Sequence, residues 1–347
     1  MVSPTSVVVA VQNQVSCRRN RTLAGNLVRT YELGGFVIES EFPFPELTAA
    51  ETGETICAVR LVDTLPRSAS STNSLVRKQL PNGHGWLSTA KSEQGYLLRF
   101  QDLVTFLVSE DGDQVECHSD APVPTETLRH LFIDAVFPLV LNLKGHDALH
   151  ATAVDGPAGC CAFLGSSGIG KSTLAAALVR RGWQLVCDDC LHFDVGADGV
   201  TVVPGYGALR LWPDSIEAAF NNGSLLQTVQ DRRKKRVEIA GMKSTYPVTL
   251  RRVYLLTGIQ DPDDTRIRIE SVPRRDAFIQ LVRHAFRLDA GDRTMLARQF
   301  RSLQRLVKRV SICRLIYPRN FDHLQLLAAA IADDLKNGTV LPSLAGK

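Results

Sequence analysis

Between Tyr31 and Ser119, apolar and polar positions alternate in short runs separated by turn residues. Gly35-Phe36-Val37-Ile38-Glu39-Ser40 and Tyr96-Leu97-Leu98-Arg99-Phe100 are of this kind, and Thr105-Phe106-Leu107-Val108 is followed by the turn pair Asp111-Gly112. A period of two puts successive side chains on opposite faces, so these runs predict strands. Pro66 to Gly85, rich in Ser, Asn and Gly, predicts a mobile loop, and residues 1–25 a poorly ordered leader. At Thr125 the period changes. Leu128, Leu131, Phe132, Ala135, Leu139 and Leu143 fall on one helical face, which predicts a helix over 125–143.

Beyond that helix, short apolar runs alternate with helical patterns. Leu149 to Val154 and the run Cys160-Cys161-Ala162-Phe163-Leu164 flank the turn Asp155-Gly156-Pro157-Ala158-Gly159, which reads as a hairpin. Ser172 to Arg181 contains no Gly or Pro and keeps a helical apolar face; Gly182 stands where a helix stops, and Gln184-Leu185-Val186-Cys187 is the next strand. Arg251 to Leu256 and Ile312 to Tyr317 predict further strands. Asp276 to Leu288, Arg293 to Arg309 and Asp322 to Lys336 predict helices. The fold class expected is α/β: a leader (1–25), a β-rich N-terminal domain (26–124) and an α/β domain (125–347).

Inside the second domain, Gly165-Ser166-Ser167-Gly168-Ile169-Gly170-Lys171-Ser172 fits G-x-x-x-x-G-K-[ST] at every fixed position. Its glycines let backbone N–H groups turn toward an anion, Lys171 reaches β- and γ-phosphates, and the Ser172 hydroxyl is placed for Mg²⁺. The following helix directs its positive end at the same phosphates. The strand before the motif and the helix after it are the context such a loop needs. A chance Gly/Ser-rich turn is the bland alternative. The nucleotide-binding set runs from Gly165 through Ser172 to Thr173.

The strand after that helix ends in Asp188-Asp189, with Asp189 eighteen residues beyond Lys171. Side chains leaving the carboxyl end of such a strand project into the phosphate crevice. One carboxylate there suits Mg²⁺, and a second suits proton removal from an attacking hydroxyl. Two solvated turn residues are the plain alternative. The pair lies within Cys187-Asp188-Asp189-Cys190, a C-x-x-C spacing, but a zinc site would need further ligands that Cys160-Cys161 does not space correctly. His150 stands near the start of the hairpin's first strand, where a lone histidine is more often structural than catalytic.

His150, the Gly165–Ser172 loop, Arg181-Gly182 and Leu185-Val186-Cys187-Asp188-Asp189 together resemble the catalytic core of HPr kinase/phosphorylase over roughly residues 145–195. The resemblance implies a P-loop kinase core using ATP and Mg²⁺. It implies that Lys171 contacts the phosphates, Ser172 ligates the metal, and Asp188 supports the metal or the base. Asp189 would be the catalytic base, and His150 would stand beside the reacting phosphate. The family's Glu-containing Ile-Arg-Gly-Leu-Gly segment is replaced here by Val203-Pro204-Gly205-Tyr206-Gly207-Ala208-Leu209-Arg210-Leu211-Trp212, and its Arg-Pro-Gly-Arg-Asn segment is missing. The whole chain therefore looks more like the related kinases of bacterial peptide-modification clusters, among them the lasso-peptide tailoring kinases. That likeness implies a peptide or protein substrate phosphorylated on serine. A small-molecule hydroxyl kinase and a non-catalytic nucleotide-gated module are the rival readings.

Composition narrows the classes further. The chain has 347 residues, 44% hydrophobic and 22% charged, ordinary for a globular protein with a substantial core. A net charge of +4, with no recognisable module, does not point to nucleic acid. The compact cluster Arg232-Arg233-Lys234-Lys235-Arg236 is either a solvated loop or a neutraliser of ATP or an acidic peptide. No stretch approaches a membrane span and the N-terminus lacks a secretory pattern; eight cysteines outside any disulfide framework suit a reducing, cytoplasmic setting. Neither the Leu-Ser-Gly-Gly-Gln of transport ATPases nor the Asn-Lys-x-Asp of GTPases occurs. Self-association stays open.

Overall fold

A computed structural model describes residues 21–23, 26–65, 73–79, 85–220, 234–238, 243–259, 264–286, 289 and 291–338. The chain is mixed α/β and divides into two compact units. Of the described residues, one contains those up to Ala148 together with Phe286–Phe300; the other contains Leu149–Ala285 and those from Arg301.

The first unit is built on strands β1 (Arg21–Leu23), β2 (Asn26–Leu33), β3 (Phe36–Ser40), β4 (Thr48–Ala49), β5 (Thr55–Leu61), β6 (Asn73–Gln79), β7 (Gly85–Ser92), β8 (Gly95–Phe100), β9 (Val104–Ser109) and β10 (Gln114–His118). They form one sheet in the order β1-β2-β3-β5-β10-β9-β8-β7-β6, with β4 on β2. Two expectations change. Arg21–Leu23 pairs antiparallel with β2, so order reaches into the expected leader. Asn73–Gln79 pairs with β7, so the expected loop contains a strand; the rest of Pro66–Gln79 and residues 80–84 lie outside the described residues.

Helix α1 (Thr125–Leu131) and helix α2 (Phe137–Leu143) are separated by a π-helical turn at Phe132–Val136. An uninterrupted α-helix would need a Pro138 N–H that does not exist. The Phe137 N–H instead reaches back to the Phe132 carbonyl, and the wider turn absorbs the missing bond. Phe132 packs edge-on against Phe44 (5.7 Å), and Phe44 against Tyr31 (5.5 Å). The helices thus share a core with the strands before them, and the division by packing falls after Ala148.

The second unit follows β11 (Asp147–Leu149). It contains β12 (Ala151–Gly156), β13 (Gly159–Leu164), α3 (Lys171–Arg180), β14 (Gln184–Cys187), β15 (Leu191–Val195), β16 (Val200–Val203), β17 (Ala208–Leu211), α4 (Pro213–Phe220), β18 (Lys235–Glu238), β19 (Val248–Ile259) and β20 (Arg268–Ser271). Helix α5 (Arg274–His284), the part of helix α6 (Arg293–Arg309) from Arg301 onward, strand β21 (Ser311–Pro318) and helix α7 (Leu324–Asn337) complete it. The sheet runs β14-β12-β13-β19-β21-β20, with β13, β19 and β21 mutually parallel and β12 antiparallel to both β13 and β14. The start of β19 pairs with β16, and β16 with β15.

The apolar runs read as buried strands are apolar because both faces of this sheet are covered. Cys161 and Phe163 of β13 and Tyr254 of β19 face Leu174–Val179 of α3, Ile216 of α4 and Leu327 and Ile331 of α7. Cys160, Ala162 and Leu164, alternating with them, face Phe193 and Val202 of β15 and β16, Leu281 of α5 and Leu306 of α6. Alanines 175–177 are fully buried, which lets α3 sit close against the sheet. Helix α5 stops at His284, four residues before its expected end, because Ala285 turns extended to bridge Leu149. No described helix is long and apolar enough to cross a membrane.

Candidate phosphate-binding site

Strands β13 and β14 point the same way because each is antiparallel to β12. Gly165 and Asp188 therefore leave the sheet at one edge. The first residue of β12, Ala151, pairs with Leu164 at that edge, which brings His150 there too. Two left-handed glycines shape the loop between β13 and α3: Gly168 at φ 79° and Gly170, the cap of α3, at φ 110°. A side chain at either would meet the usual penalty of that region. The first helical bond is Leu174 N–H to Gly170 O at 2.9 Å, so the amides of Lys171, Ser172 and Thr173 precede the helical ladder. Such free amides at a helix start attract anions.

Lys171 is 6% exposed. Its Nζ donates to the Gly165 carbonyl at 3.0 Å and lies 3.4 Å from His150 Nε2. His150 Nδ1 is 3.1 Å from the Asp189 carbonyl, which can only accept, so Nδ1 carries the proton and Nε2 presents its lone pair to the ammonium. Burial, then the Lys171 charge, bring the His150 pKa down to about 4, so the ring is neutral at neutral pH. Burial also lowers the Lys171 pKa, against the raising effect of Asp189 and Asp188.

The two aspartates diverge. Asp188 turns inward: Oδ1 accepts from Thr152 Oγ1 at 2.6 Å and Ser172 Oγ at 3.0 Å, and Oδ2 accepts from the Arg210 amide at 2.9 Å. Burial, then the neighbouring Asp189 charge, push its pKa up to about 6, while these three donors hold it down. Asp189 has φ 64°, and Cys190 N–H closes a three-residue turn across it onto the Asp188 carbonyl at 2.8 Å. A non-glycine residue in that region stores on the order of 1–3 kcal/mol of strain. The turn aims the Asp189 carboxylate away from Asp188: Oδ1 lies 3.9 Å from His150 Nε2 and Oδ2 lies 3.8 Å from Arg210 Nη1.

The site suits a hard cation. A hydroxyl and a carboxylate, Ser172 and Asp188, already touch, and both offer oxygen. Among the described residues no group of three or more His, Cys, Asp or Glu gathers, so a metal here would draw most of its shell from phosphate and water, as Mg²⁺ does. Burial pushes the Cys187 thiol well above its ordinary range, which leaves it protonated and a poor metal ligand.

Of the residues read from the sequence, His150, Lys171, Ser172, Asp188 and Asp189 meet in one place. Ser166, Ser167 and Gly168 form the exposed tip of the loop. Thr173 contributes its amide, but its hydroxyl turns to Ser215 Oγ at 3.1 Å. Of the basic cluster, Lys234 lies over the Trp212 ring at 5.9 Å and Arg236 over Tyr206 at 4.7 Å; Arg232 and Arg233 lie outside the described residues. Thr152, Arg210, Tyr317 and Arg319 are site residues that sequence reading passed over. Only Thr152 carried a signal, since period two places it on the same strand face as His150.

No protein-family model matches the chain, and no curated protein matches it. Among solved structures the chain is similar to the Hpr(Ser) kinase/phosphatase from Coxiella burnetii, with 13% identity and a TM-score of 0.30, over 54% of this chain and 88% of that one. At that distance, function has to be argued from the side chains themselves.

Proposed function

We propose that the second unit is a kinase that transfers the γ-phosphate of ATP to a hydroxyl, and that the acceptor is a serine of a peptide or protein. One observation carries this reading: an ammonium, a neutral imidazole, a hydroxyl and two divergent carboxylates converge on a glycine loop at a helix start. The amides of Lys171–Thr173 and the Lys171 ammonium bind the phosphates. Ser172 and Asp188 would hold Mg²⁺, which on binding neutralises phosphate charge. Asp189, on its strained turn, takes the proton of the incoming hydroxyl. That oxygen bonds to the γ-phosphorus, the bond from phosphorus to the β–γ bridging oxygen breaks, and ADP leaves with the electron pair. Lys234, Arg210 and Arg236 favour an acceptor with acidic neighbours.

The test is incubation with γ-labelled ATP, Mg²⁺ and serine-containing acidic peptides, followed by mass measurement. An acid-stable phosphate ester on serine is expected, with turnover lost in Lys171→Ala. An acid-labile phosphoramidate or acyl phosphate, or full activity in a folded Lys171→Ala protein, would overturn the proposal.

A further inference from the structure

The loop is gripped from outside by the segment that ends β21. Tyr317 Oη donates to the Ile169 carbonyl at 2.6 Å, and Arg319 Nη2 donates to the Gly168 carbonyl at 2.8 Å. These are consecutive peptide groups at the loop tip. In a planar trans peptide the C=O and N–H point in opposite directions. Holding the carbonyl of Ile169 outward therefore turns the Gly170 amide inward, and holding that of Gly168 does the same for the Ile169 amide. The inner side is where Lys171 and the helix start lie. In the structure the Ile169 amide donates a long bond, 3.3 Å, to the Ser166 carbonyl.

The grip is built in, not incidental. Tyr317 is 7% exposed, and its ring packs in the core beneath α3. Arg319 crosses Gly258 on the neighbouring strand β19: a Cβ at Gly258 would stand 2.4 Å from Arg319 Cδ and 2.7 Å from its Cγ. The only side chain that leaves room for this path is a hydrogen. Gly170 is also close, since a Cβ there would be 3.5 Å from the Tyr317 hydroxyl. Three separate places in the chain, 168–170, 258 and 317–319, are thus fitted to one another.

We infer that Tyr317 and Arg319 are positioning residues that preset the anion-binding orientation of the loop amides, so that nucleotide affinity depends on them although neither touches the reacting atoms. The inference rests on the ATP-binding reading above. Without the grip, the Gly168–Gly170 peptides would be free to rotate about glycine dihedrals, and phosphate would have to order them on binding.

The experiment measures ATP binding with Mg²⁺ by calorimetry and unfolding by thermal melts, in the full-length wild type and in Tyr317→Phe, Arg319→Gln, Arg319→Lys and Gly258→Ala. Arg319→Gln is expected to weaken ATP roughly tenfold and Tyr317→Phe a few-fold, as for loss of a charged and a neutral hydrogen bond. Gly258→Ala should match Arg319→Gln, because its methyl displaces the arginine, and Arg319→Lys should recover part of the loss. Melting temperatures should move little, and KM for ATP should rise more than kcat falls. If the wild type binds ATP and all four variants bind it within twofold, the grip is refuted while the ATP site stands. Equal losses in affinity and in melting temperature across the set would refute it as well, since that marks a merely structural role. A wild type that binds no ATP overturns both readings.

Discussion

Asp188 is where stability and activity pull in opposite directions, and the structure sets the size of the conflict. Its carboxyl is buried and its pKa is raised from the ordinary 3.8 to about 6, so at pH 7 the folded protein carries a charge it would rather not hold. At about 1.4 kcal/mol per pH unit, that amounts to roughly 3 kcal/mol against folding. Asp188→Asn removes the charge at nearly constant volume. The amide oxygen can keep the bond from the Arg210 amide, and the NH₂ can face Thr152 and Ser172, whose hydroxyls rotate to accept. The expected result is an Asp188→Asn protein about 1–3 kcal/mol more stable than wild type at pH 7, with Mg²⁺-dependent nucleotide binding strongly weakened.

The pH dependence gives the sharper test. Between the unfolded and folded pKa values of Asp188 the folded state holds a proton that the unfolded chain has lost, so this group's contribution to stability falls as pH rises from about 4 to about 6. His150 acts in the opposite sense: its pKa is depressed to about 4, so its contribution rises with pH from about 4 to its ordinary 6.5. Its ring is 38% exposed, so water screens part of that effect. Because His150 is present in both proteins, the difference between wild type and Asp188→Asn isolates the carboxyl. Urea unfolding at pH 4 and pH 7 should show little difference at the lower value and a gain for Asp188→Asn at the higher. An Asp188→Asn protein that is less stable at both pH values, by the same amount, would refute the reasoning.

Asp189→Asn should lower kcat by about 10²–10⁴-fold with ATP affinity almost unchanged, measured by single-turnover transfer beside calorimetry; transfer at the wild-type rate would remove Asp189 as the base. Gly156→Ala should cost about 1–3 kcal/mol, because the added methyl would stand 2.4–2.6 Å from the buried Trp183 ring, and chemical denaturation that finds wild-type stability would contradict this packing.

What could be read from the sequence, and what could not, divides along the range of the interactions. Cys160–Leu164 was legible as a buried strand because both of its faces are covered, so it carries no polar residue to hide the pattern. The phosphate loop was legible because its geometry is local: glycines at fixed steps from a lysine. The π-helical turn was not read: the periodicity predicts one helix over 125–143, and the local consequence of the missing Pro138 N–H was passed over. Strands β15 to β18 and β20 were not read. They are four or five residues long; Leu191–Val195, with His192 and Asp194 between its apolar residues, does alternate with period two and was passed over. The others depend on pairing, such as Val202 with Val248, rather than on their own pattern.

The site divides in the same way. Asp188 and Asp189 announce themselves as neighbours, yet their separation into a carboxylate turned inward to Thr152 and Ser172 and one turned to His150 and Arg210 is set by a positive φ that aspartate tolerates but does not advertise. Arg210 reaches Asp188 from 22 residues away and Arg319 reaches Gly168 from 151 away. Neither follows from periodicity, because no spacing rule links a strand end to a residue beyond several crossovers. The chemistry-bearing atoms are therefore local in sequence, while the groups that aim them are distant. A substitution at Arg319 or Gly258 would look neutral in any reading of the loop alone, and it is at such positions that sequence argument and structural argument give opposite expectations for nucleotide affinity.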